Sequence, residues 1–76
     1  MTNEEKNGII ACIREQILHA NGAFMNKDMS VDRGILVGMI RLCNVFDAYV
    51  NLSFDRSQIK GATILFSDDT EPIKII

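Results

Sequence analysis

Few side chains in this sequence could take part in covalent chemistry, and their spacing decides between reaction and structure. His19, Cys12 and Cys43 are the groups able to act near neutral pH. A histidine becomes a general base only with a nucleophile or substrate in reach. No serine or cysteine stands in a recognisable arrangement with His19, whose place near the end of a helical stretch suits a surface imidazole favoured by the helix dipole. A reactive thiol needs an electropositive, accessible setting. Both cysteines instead fall on apolar helical faces, where a free thiol packs as a small apolar group. One histidine and two distant cysteines make no zinc spacing. Asp68, Asp69 and Glu71 offer oxygens to a hard cation, but the run lacks the glycine and terminal glutamate of a calcium loop and reads as a solvated turn. Gly34 and Gly38 lack the lysine and hydroxyl residue that follow the glycines of a nucleotide-binding loop. The reading is of a chain that is not an enzyme, with no cofactor, no metal and no catalytic residue.

Recognition is better served than reaction. Arg33 and Arg41 lie eight residues apart on one helical stretch, offset by about 80°. With Tyr49 they are the candidate contacts for a small anionic ligand, such as a nucleotide, in a pocket between subunits. Arg41 interrupts an otherwise apolar decapeptide, and in an interface it would need a carboxylate such as Asp47 or Glu15. A net charge of −2 without a basic run argues against nucleic acid, and the segment between the first two helices is too long for a helix-turn-helix. Gly34 and Gly38 sit one turn apart and leave a shallow groove where a second backbone approaches closely, from the first helix or from a second subunit. The charged residues around them leave no run of about 20 apolar residues, so no membrane span is expected.

The elements that must position these residues follow from periodicity. Thr2 and Glu5 match a capping box, and Ile9, Ile13, Ile17 and Ala20, widened by Ile10 and Leu18, mark one face of a first helix that Asn21-Gly22 stops. A loop over Ala23 to Met29 follows, with Phe24 and Met25 folding back onto the core. The longest apolar periodicity runs from Ser30 to about Leu52. It predicts a central helix on which everything else packs, with Ile35, Met39, Leu42, Phe46 and Tyr49 on one stripe and Leu36, Ile40, Cys43 and Val50 on the next. Ser30 and Asp32 provide its start. After a turn at residues 54–58, strand-favouring residues at Thr63–Phe66 and Ile73–Ile76 flank the acidic run Ser67–Pro72 and predict a β-hairpin. A third helix over residues 57–66 is the alternative, opposed by Gly61 and by β-branched Thr63 and Ile64.

The 76 residues, 47% of them hydrophobic, form one domain over residues 1–76. A core of this size supplies only about 3–5 kcal/mol. With no disulfide, metal or secretory leader expected, oligomerisation in the reducing cytoplasm is the remaining source of stability. Ile75 and Ile76, on a C-terminal edge strand, join Gly34 and Gly38 as the candidate interface. The expected fold is α+β and mainly α, an antiparallel two-helix hairpin followed by a short C-terminal β-hairpin, or else an all-α three-helix domain. The expected function is a non-enzymatic protein–protein interaction module, a small regulator, adaptor or inhibitor, acting as a homo-oligomer on an unidentified protein partner. The alternative is an oligomer that binds the small anionic ligand at a subunit interface.

Overall fold

The computed structural model describes residues 1–22 and 29–76; the loop expected over Ala23 to Met29, with Phe24 and Met25, lies outside the described residues except for Met29. Helix α1 (Asn3–Ala20) opens on the expected capping box, with the Glu5 amide donating to Thr2 Oγ1 at 3.1 Å and the Thr2 amide to Glu5 Oε1 at 2.8 Å. Its buried apolar residues are Ile10, Ile13, Ile17 and Ala20, at spacings of three, four and three. Ile9 is half-buried and Leu18 exposed. Beyond the helix, Gly22 takes φ +81°, and a Cβ there would stand 2.8 Å from Met29 Sδ.

Helix α2 (Met29–Val45) begins one residue before Ser30 and stops well short of Leu52. The Phe46 and Asp47 amides bond back to the Cys43 and Asn44 carbonyls, and Asp47 then turns the chain at φ +58°. Strand β1 (Ala48–Asp55) follows at once. The expected helix ran too far because the two periods overlap here. Phe46, Tyr49 and Val50 continue a helical stripe, while Ala48, Val50, Leu52 and Phe54 also alternate as a strand does. Pairing with a second strand decided for the strand.

Strands β1, β2 (Gln58–Phe66) and β3 (Ile73–Lys74) form an antiparallel sheet in that order. The expected hairpin is present as β2 and β3, paired through Thr63 with Lys74 and Ile64 with Ile73, and β1 is an added third strand. Between β1 and β2, Ala48 faces Phe66, Val50 faces Ile64, Leu52 faces Ala62 and Phe54 faces Ile59. Lys60 is the extra residue of a bulge on β2, since Ser53 pairs with Gly61 and Phe54 with Ile59. One face of the sheet, with Ile59, Ala62, Ile64, Phe66 and Ile75, closes on Ile10, Ile13, Ile17, Ala20 and Leu36. The other face exposes Tyr49, Asn51, Ser53 and Lys74. The result is two layers, helices on one side of an antiparallel sheet whose far side is wet.

The organising helix is α1 rather than α2. Leu36 is the one fully buried residue of α2, with Met39, Ile40 and Cys43 half-buried against the core. Side chains tie α1 to the sheet. Arg14 Nε donates to the Ile75 carbonyl at 3.0 Å. The Asn21 side chain bonds both backbone groups of Ile59, each at 2.9 Å, as a neighbouring strand would.

Candidate interaction surface

The reactive side chains do not assemble into a catalytic group. His19 lies half-exposed, its Nε2 3.9 Å from a Glu15 carboxylate oxygen one turn back. Cys12, expected in the core, is exposed, because at about 100° per residue it sits on the flank of α1 beside Ile13 rather than on the stripe that meets the sheet. Cys43 is half-buried, and its burial pushes the thiol pKa up, away from nucleophilic duty. The two thiols nonetheless line the same feature, a groove of about 560 Å³ between the first half of α1 and the last half of α2. Ile9, Met39, Leu42 and Phe46 supply most of its wall. Glu5 stands at its rim, its carboxyl held below the usual range by the Thr2 backbone and side-chain hydrogen bonds. The groove suits apolar surface, and among the described residues no lysine or arginine lines it.

The acidic turn is more than a solvated loop. Lys6 Nζ reaches Asp68 Oδ1 and Asp69 Oδ1, each at 3.0 Å, and lies 5.4 Å from the centre of the Phe66 ring. Hydrogen bonds to Asp69 and then Asp68 hold the ammonium pKa up, and the Lys6 bond holds the Asp68 carboxyl down. Asp69 Oδ2 is buried without a partner among the described residues. Among those residues no group of three metal-ligating side chains comes together. The sequence carried a signal for this anchor. Lys6 stands one turn before Ile10 on the apolar stripe of α1, and a lysine facing a core demands carboxylates.

The candidate anion contacts are kept apart. Arg33 donates to the Ala20 carbonyl at 3.3 Å and the Ser57 carbonyl at 2.7 Å, clamping the end of α1 to the β1–β2 turn. Arg41 is exposed, about 12 Å further along α2. Tyr49 lies on the sheet face turned away from the helices. Of the candidate interface residues, Ile75 is only 2% exposed, so its side chain belongs to the chain's own core. That corrects the reading of a sticky terminal strand: the amides of Ile75 and Ile76 both donate to the Ala62 carbonyl, which draws the terminus onto β2. Ile76 is half-buried beside it. Gly34 and Gly38 are both exposed, and a Cβ built at either meets nothing within 4 Å, so they do not form a groove against α1.

What surrounds those glycines is the outstanding surface of the molecule. Val31, Ile35, Leu42 and Val45 are exposed and, with Gly38, fall within about 80° on the outer side of α2. Phe46 is exposed just beyond, in the turn after α2, while the exposed Tyr49 and Phe54 lie on β1. Apart from Met1 and Leu18, every large exposed apolar residue among those described lies between Met29 and Phe54. Fold and surface together define a small two-layer α+β domain in which, among the described residues, an apolar face of α2 is uncovered. No family model, curated protein or solved structure matches the chain. No described helix is long and apolar enough to cross a membrane.

Proposed function

We propose that this chain is a non-enzymatic protein–protein interaction module that works as an oligomer, acting as a small regulator, adaptor or inhibitor in the cytoplasm. The observation that carries the reading is the concentration of exposed apolar side chains on α2 and at Phe46 in the turn after it. Single exposed apolar residues need no explanation, but contiguous patches beyond a few hundred Å² mark association surfaces. The outer face of α2 has the helical spacing of a seam that pairs with another helix. The free thiols Cys12 and Cys43 suit a reducing compartment.

Light scattering across a concentration series tests the reading. A mass above that of one 8.5 kDa chain is expected, falling on dilution. A monomer at every concentration, combined with failure to bind any protein from a library displayed against it, would sink the proposal.

A further inference from the structure

Resting on the oligomeric reading, we infer that the occupant of the outer face of α2 is a second copy of this chain, its α2 running antiparallel and crossing at Gly38. The seam Val31, Ile35, Gly38, Leu42 and Val45 has spacings of four, three, four and three, which keep it on one face. Its order of sizes reads the same from either end: medium, large, none, large, medium. Gly38 lies seven residues from both Val31 and Val45. A two-fold axis through Gly38 therefore sets each Val31 against the partner's Val45 and each Ile35 beside the partner's Leu42. A seam with that symmetry is what an isologous dimer requires, since one patch must complement itself.

The glycines give the crossing its shape. With open space around Gly38 in the single chain, two copies bring their backbones together at the axis without a Cβ on either side. Leu42 then falls into the hollow at the partner's Gly34, a knob meeting a hole. The groove between α1 and α2 opens onto the same seam through Leu42 and Phe46. Antiparallel pairing lays the partner's Val31 over Phe46 at its mouth, so the groove and Cys12 inside it become covered. The exposed fractions of the seam residues and Phe46 leave roughly 500 Å² of apolar surface per copy, about 1,000 Å² across the axis, which is the floor for a specific interface.

The 76-residue chain supplies the test. In a Cys12→Ser, Cys43→Ser background, Gly38→Cys places a thiol on the axis, and only a residue on the axis meets its own copy. A glutathione redox buffer should convert that variant to a covalent dimer through one symmetric disulfide, two thiols being oxidised and glutathione disulfide reduced. Val37→Cys, turned away from the seam, should not link. Gly34→Leu fills the hollow and should weaken association at least tenfold, while leucine's better helix propensity keeps the fold intact, as far-ultraviolet circular dichroism would verify. In the unmodified protein, alkylation of Cys12 should slow about tenfold as the concentration is raised through the midpoint of association. An oligomer that neither forms the disulfide in the Gly38→Cys variant nor responds to Gly34→Leu overturns this geometry and leaves the oligomeric reading standing. So does one whose hydrogen-exchange protection falls on the outer edge of β1 instead of α2. A monomer throughout overturns this geometry and the oligomeric half of the proposed function together, leaving capture of a different protein as the remaining test of the interaction module.

Discussion

Lys6 is the one charged side chain buried among the described residues, 6% exposed and facing two carboxylates. An ammonium held there stays charged because Asp69 and Asp68 accept its hydrogen bonds, and the shifts of Lys6 and Asp68 then register in stability. Asp68 is depressed in the folded state, so its contribution is present above the ordinary carboxyl value of 3.8 and is lost as pH falls through the lower folded value. Lys6 is raised, so its contribution is present below the ordinary 10.5 and is lost as pH climbs through the higher folded value. Urea midpoints should therefore hold level between about pH 5 and pH 10 as far as this cluster is concerned, and decline on either side. Lys6→Met should lower the midpoint at pH 7 while reducing the decline in acid, because the Asp68 carboxyl loses the bond that holds its pKa down. Equal acid declines in variant and parent would remove the cluster from the account. The Asn21 amide is a second residue-scale anchor. Asn21→Ala strands the backbone groups of Ile59 and should cost about 1–3 kcal/mol in urea unfolding.

The two helices should respond very differently to truncation. Ile13 and Ile17 are sealed between α2 and the sheet, and either changed to alanine leaves a cavity costing about 2–5 kcal/mol. Val37→Ala on the exposed side of α2 should stay within about 0.5 kcal/mol. A large loss at Val37 with little at Ile17 would reverse the roles assigned to these helices. The β1–β2 hairpin holds a correctable strain. Asp55 pairs with Gln58 across a two-residue turn in which Arg56 takes φ +61°, a conformation that favours glycine at the first central position. Relief of that strain makes Arg56→Gly stabilising by about 1 kcal/mol, read as a higher urea midpoint. Elements were legible where one period ruled. The capping box at Thr2 and Glu5, the stripe through Ile13 and Ile17, and the hairpin of β2 and β3 all follow from local pattern. The boundary at Val45 did not, because residues 46–50 satisfy a helix and a strand alike, and hydrogen bonds to β2 decided between them.

On the scale of the whole molecule, the chain has spent its small core on α1 and one face of the sheet, and α2 remains apolar on both sides. Under the proposed pairing through that outer side, thermal stability depends on how many chains are present. The melting temperature should rise with protein concentration, because association stabilises only the folded state. A melting temperature constant over a hundredfold range would show that the outer face of α2 contributes nothing to association. The sheet edges point the same way. The edge at β3 is short, preceded by Pro72 and carrying Lys74, whereas β1 runs for eight residues with the bulge on its neighbour, so only one side of the sheet is guarded.

By itself the sequence determined the first helix with its cap and stop, the presence of a second, the pairing-prone residues at the C-terminal end, and the lack of any recognised catalytic spacing, while a third helix over residues 57–66 stayed open. These depend on neighbours within a few residues, where backbone preference and side-chain period act directly. Only the tertiary structure decided that α1 and not α2 is the central helix, that Ile75 is core and Cys12 is not, and that Arg33, Arg41 and Tyr49 lie apart. It also decided that Lys6 meets Asp68 and Asp69 more than sixty residues away. An amphipathic pattern states that a face is apolar but not what covers it. A helix with two apolar sides offers both equally, and the choice is made by the geometry with which the sheet closes over one of them.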